Sequence, residues 1–243
     1  SHPRLMDDGN GGNPVQAYAD YRASQAGGGF RTVVLDVEQL YDQFAYGVHR
    51  HPLAVRNAVQ HFARRWSEAR YTFIIGKGRQ YNVGRTAAAV AGDYYVPTFG
   101  VPGSDNLLIA SNWTNVPALP IGRIAASTPA EVRWYLDKVI SHEAGQTSTA
   151  EADREWKKEV IHLGGGGSSS EQQFIKNALA QMENIVHNGA MGANVQSFFK
   201  TNSDPIQQAV SDALLRRIND GASIITFFGH SSSVGFDFAI DDP

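Results

Sequence analysis

The residues best suited to chemistry lie near the end of the sequence, in Gly229-His230-Ser231-Ser232-Ser233-Val234-Gly235-Phe236-Asp237. Imidazole changes charge near neutral pH, so a histidine with small neighbours that give it room suits a general base. Just before it, Ile224 to Phe228 is an apolar run rich in β-branched and aromatic residues, entered after Gly221. Such a run reads as a buried strand of a parallel sheet. Ligands and catalytic groups in open α/β sheets gather beyond the carboxyl ends of the strands, where this spacing puts His230. The opposing reading is a surface histidine in a turn, and position alone does not separate the two. A Ser/His/Asp hydrolase is the alternative offered by serines 231 to 233, but adjacent loop residues rarely set a hydroxyl on the imidazole, and no Gly-x-Ser-x-Gly elbow occurs.

Other clusters carry less. Leu163 is followed by Gly164, Gly165, Gly166, Gly167 and three serines ahead of a helical pattern. Backbone amides at a helix start favour anions, so a phosphate cradle is one reading. The stretch lacks the Walker lysine and the dinucleotide-binding spacing, and reads better as a strand-to-helix connection at the same edge as His230. Gly76-Lys77-Gly78 has no helix after it. His49 and His51 precede Pro52 without zinc-like spacing, so no metal site is expected. Calcium in a structural role is the one open cofactor, with Asp93, Asp105, Asp237, Asp241 and Asp242 as loop carboxylates; solvated acids are the simpler reading for each.

These groups must be held by an alternation of strands and helices. Asn13-Pro14 starts a helix with Val15, Tyr18 and Arg22 on one side, stopped by Gly27-Gly28-Gly29. Strands are predicted at Arg31–Val37, Tyr71–Ile75, Leu107–Ala110 and Leu119–Ile124, with a strand start at Pro3–Met6. Leu53–Ala69 is amphipathic through Val55, Val59, Phe62 and Trp66. Thr128-Pro129-Ala130-Glu131 is a capping box leading a helix whose inner face is Val132, Leu136, Val139 and Ile140. After a polar link at 145–152 the pattern repeats. A strand Glu159–Leu163 leads to a long helix with Phe174, Ile175, Leu179, Met182 and Ile185 inside. A strand Ala193–Phe199, a helix capped at Asp204-Pro205 with Val210, Leu214 and Ile218, and the strand before His230 complete it. The expected architecture is α/β, with mainly parallel sheets flanked by helices in two side-by-side subdomains, 1–150 and 151–243.

Composition narrows the function classes. With 243 residues, 42% hydrophobic and 19% charged, the chain can bury a sizeable core. A net charge of −3 gives no electrostatic case for nucleic acid or an anionic membrane, and no apolar run approaches a membrane span. There are no cysteines, hence no disulfides or thiolate metal sites.

The His230 segment resembles the catalytic-histidine segment of the gingipain-like cysteine peptidases, a family that includes the sortase-type peptidases of the type IX secretion system. Tyr18 to Val37 with Leu40-Tyr41 is similar to the family's opening, and Tyr71 to Gly78 to its strand-ending I/L-G-D segment. Leu119-Pro120-Ile121-Gly122-Arg123 through Glu131-Val132 is similar to its P-I-G-R strand and following helix. The resemblance covers most of the chain. It implies a caspase-like fold whose second subdomain carries the catalytic pair, a protein or peptide substrate, secretion-system partners, and a secreted, periplasmic or cell-surface location. His230 matches the catalytic histidine, and Gly229, Ser231 and Ser232 match the oxyanion loop, although gingipains carry glycine at position 231. The family's acidic support for the histidine falls at Ala118, which cannot accept a hydrogen bond. A backbone carbonyl is the expected substitute, with Asp237 and the Gly164–Gly165 loop as further candidates. The nucleophilic cysteine is expected after the next strand, past Pro243. The alternatives are a non-catalytic relative that binds partners of a secretion system, and a nucleotide-binding module resting on the Gly-rich loop alone.

Overall fold

The computed structural model of the chain describes residues 1–79, 94–101, 103–110, 114–190, 192–202, 211–232 and 235–236. They form an α/β protein in two compact units, Ser1–Ala144 and Gly145–Pro243.

In the first unit, Asn13 caps helix α1 (Pro14–Ala23) by accepting from Gln16 N–H, with proline at the first helical position. Helices α2 (Val37–Phe44) and α3 (Pro52–Arg65) follow. The parallel pair β1 (Thr72–Ile75) and β2 (Ile121–Ile124) has Thr72 opposite Ile121 and Ile75 opposite Ile124. A single helical turn α4 (Asn106–Ile109) lies between them in sequence, and α5 (Pro129–Gln146) follows. The capping box is formed: Thr128 Oγ1 accepts from Glu131 N–H at 3.3 Å, and the Glu131 carboxylate accepts from the Ser127 and Thr128 amides. The core gathers Leu5, Tyr41, Ala54, Ile74, Leu108 and Val132 among others.

Three strand predictions fail here for one reason. Composition is overruled where a local cap or turn satisfies the backbone. Arg31–Val37 is not a strand; Asp36 accepts from Glu38 N–H at 2.9 Å and starts α2, with Val37 already inside it. Pro3–Leu5 is a 3-10 turn capped by the His2 ring. Leu107 to Ile109 fall in α4, which buries Leu108 and Ile109 against the core, and Ala110 makes only an isolated antiparallel bridge with Pro117. On α5 only Val132 and Leu136 are buried, and Ile140 is 39% exposed.

The second unit is built on a parallel sheet of β3 (Glu159–Gly164), β4 (Asn194–Phe199) and β5 (Ile224–Phe228), ordered β4-β3-β5. Residues 160 to 164 of β3 are all buried, as in a central parallel strand, with His162 the one polar side chain among them. Ile161 and Leu163 pack with Phe198 and Leu214, the last on helix α7 (Ser211–Asp220). Each such fully buried side chain contributes ~1.5–3 kcal/mol. Helix α6 (Ser169–Asn188) buries Ile175 and Leu179. The wider inner face expected for it is wrong, because Phe174 is 65% and Ile185 72% exposed and Met182 is also open. The cap expected at Asp204-Pro205, with Val210, lies outside the described residues.

Register decides where the strands finish. Gly164 stands opposite both Phe199 and Phe228, so all three strands end at one level. The expected placement of His230 at the same edge as Gly164 holds.

Candidate active site

Past that edge the backbone ladder runs on for one more step. Gly165 N–H donates to Phe228 O at 2.8 Å, and Lys200 N–H donates to Gly164 O at 2.8 Å. The glycine loop is thereby drawn alongside Gly229 and His230. Two of its glycines are required: a Cβ on Gly164 would sit 2.6 Å from Phe199 Cδ1, and Gly166 has φ +118°. Gln172 closes the loop from the helix side, its Nε2 donating to Gly166 O at 3.0 Å and to Asn202 O at 2.7 Å.

Ser168 then caps α6 by accepting from Glu171 N–H at 3.4 Å. In return the Glu171 carboxylate reaches back: Oε2 accepts from Gly167 N–H at 2.8 Å. This is a capping box shifted by one residue. The other carboxylate oxygen, Oε1, lies 2.7 Å from Nε2 of His230. Strand register, a glycine loop and a helix cap together deliver a carboxylate to the imidazole. The side chains remain 65% exposed for His230 and 37% for Glu171. Such a pair can orient an imidazole, which general-base chemistry requires.

The other expected site residues fall as follows. Gly229 is half-buried directly after β5, and Ser231–Ser232 pairs antiparallel with Gly235–Phe236. Asp237 lies outside the described residues. Gly164 and Gly165 shape the loop and do not themselves reach the ring. Ala118 belongs to the first unit, where its N–H donates to Ile109 O. Glu171 was missed. Its signal was the Ser168-x-x-Glu171 spacing directly behind the glycine loop, which would have turned a carboxylate toward the edge where His230 ends its strand.

The loop amides leave little for a phosphate. Gly165 N–H is bound to a carbonyl and Gly167 N–H to a carboxylate, which occupies the place an anion would take. Among the described residues no group of three or more histidine, aspartate or glutamate side chains could hold a metal ion. Of the calcium candidates only Asp105 is described, and both its oxygens are bound by Arg123 at 2.7 Å. His49 pairs with Glu38, and His51 caps α3 through Nδ1. No helix among the described residues is long and apolar enough to cross a membrane.

No curated protein and no solved structure matches the chain. The family model described as Peptidase family C25 matches residues 10–242. With that match running over nearly the whole sequence, the chain belongs to the C25 peptidases, the gingipain family.

Proposed function

We propose that the chain is the histidine-bearing part of a gingipain-type cysteine endopeptidase that cleaves or processes secreted proteins. His230 is the general base, and the nucleophilic cysteine is supplied from outside the 243 residues, which contain none. The observation that carries this reading is the placement of His230: beyond the carboxyl end of β5, exposed, and 2.7 Å from a carboxylate, in a chain of a cysteine-peptidase family. A cysteine is mostly protonated at neutral pH and needs a neighbouring base to become the nucleophile. Backbone amides of the Gly229–Ser232 segment are the candidate oxyanion donors. The family implies protein substrates; a periplasmic or cell-surface location and work beside a type IX secretion system are part of the proposal.

The missing thiol favours a second reading, a non-catalytic module that binds peptides or secretion-system proteins. A longer polypeptide carrying the sequence after Pro243, assayed on a mixed peptide library beside its His230→Ala variant, separates the two. Loss of the base is expected to lower the rate by ~10²–10⁴-fold. An inert parent, or a variant as active as the parent, gives the site to binding.

A further inference from the structure

We propose that Glu171 is the positioning residue of His230, holding the imidazole as the Nε2–H tautomer so that Nδ1 is the nitrogen that takes the nucleophile's proton. The chemistry rests on the peptidase reading; the assignment rests on geometry. An ionised carboxylate accepts and cannot donate, so at 2.7 Å the hydrogen of the Glu171–His230 bond belongs to Nε2. A neutral imidazole has one N–H, and with Nε2 carrying it the lone pair is on Nδ1.

Glu171 is fixed well enough to impose this. Its backbone lies in the first turn of the helix Ser169–Asn188, its second oxygen is held by Gly167 N–H at 2.8 Å, and the next residue, Gln172, clamps Gly166 and Asn202. Exposure of the pair makes its contribution to stability small. What it supplies is direction. In the proton-transfer step a thiol S–H gives its proton to Nδ1, sulfur keeps the bonding pair as thiolate, and the ring becomes an imidazolium with hydrogen on both nitrogens. Throughout, Nε2–H stays on the Glu171 carboxylate, which keeps the ring in one orientation. When the thiolate has attacked the peptide carbonyl and the C–N bond breaks, Nδ1–H returns the proton to the leaving amine. The position where the family resemblance calls for an acid is Ala118, so this chain draws its support from the helix cap behind the glycine loop.

Long-range ¹H–¹⁵N correlation NMR of the labelled chain, at a pH where the ring is neutral, reads the tautomer of His230 directly. The parent is expected to be predominantly Nε2–H. In Glu171→Gln the amide oxygen still serves Gly167 N–H, which turns the amide NH₂ toward the ring, and the population should shift toward Nδ1–H. Ser168→Ala weakens the same helix cap without touching the carboxylate, and should leave the tautomer as in the parent. A parent that is mainly Nδ1–H, an unshifted Glu171→Gln, or an equal shift in Ser168→Ala would each overturn the proposal, leaving Glu171 as a helix cap only. The measurement needs no turnover, so it stands or falls separately from the peptidase assay.

Discussion

Arg123 engages all three nitrogens of its guanidinium. Nε and Nη2 form a fork on Asp105 at 2.7 Å each, Nη1 donates to the carbonyls of Gly76 and Val96, and Nη2 also donates to Pro97 O. The Arg123 and Asp105 side chains are only 11% and 23% exposed, so these bonds are made where water competes poorly. The arginine of the P-I-G-R stretch is therefore a clamp that ties the ends of both strands of the first unit to the chain between them. Arg123→Ala removes the positive partner of a shielded carboxylate and should cost roughly 3 kcal/mol in urea unfolding. Arg123→Lys should recover only part of it, because a lysine cannot reproduce the planar fork. A lysine variant as stable as the parent would mean that charge alone is needed. The motif was legible in the sequence, and its partner was not. Asp105 stands 18 positions away and offered no local sign of what it touches, which is why a calcium role stayed open for it.

At the scale of elements, the same limit separates what could be read from what could not. The strands Tyr71–Ile75 and Glu159–Leu163 and the Thr128–Glu131 cap were readable because an apolar run or a cap is its own evidence. Val33 and Val34 gave the same apolar signal, yet Val33 is 61% exposed; whether such a segment pairs depends on strands elsewhere, and Asp36 had already diverted the chain into a helix. The histidine at a strand end was legible as a site. Its carboxylate was not, because the meeting of Glu171 and His230 follows from the Gly164–Phe228 register across 64 residues of chain. The loop between them gives a test at this scale. Gly166 combines φ +118° with a would-be Cβ 3.1 Å from Gln172 N, so Gly166→Ala should cost ~1–3 kcal/mol. A Cβ on Gly167 would meet only Glu171 Oε2, at 3.8 Å, and Gly167→Ala should stay close to parental stability. Equal losses from both would show that the loop's backbone is not what fixes the edge.

For the molecule as a whole, acid sensitivity follows from where histidines are buried. His162 lies in the central strand β3 at 2% exposure, and its Nδ1 has no hydrogen-bond partner among the described residues. Burial pushes its pKa below the ordinary histidine value, with the Glu183 carboxylate opposing more weakly. The folded state therefore binds fewer protons than the unfolded state once pH falls below the unfolded histidine value of about 6.5. Stability is complete above that pH and is lost as pH drops toward the lowered folded-state value, because the unfolded chain gains the proton first. His2, whose pKa is also lowered chiefly by burial, adds a contribution of the same sign in the first unit. The sequence pI of about 6.2 lies in the same range, so net charge passes through zero there and solubility must be watched separately from stability. Hydrogen exchange at the amides of Ile161 and Leu163 isolates the second unit's response. Protection there should fall between pH 7.5 and pH 5 in the parent, after correction for the intrinsic exchange rate. It should fall less in His162→Leu, which replaces a buried ring whose Nδ1 is unsatisfied among the described residues with an apolar side chain. Parallel losses in the two proteins would place the acid sensitivity outside β3.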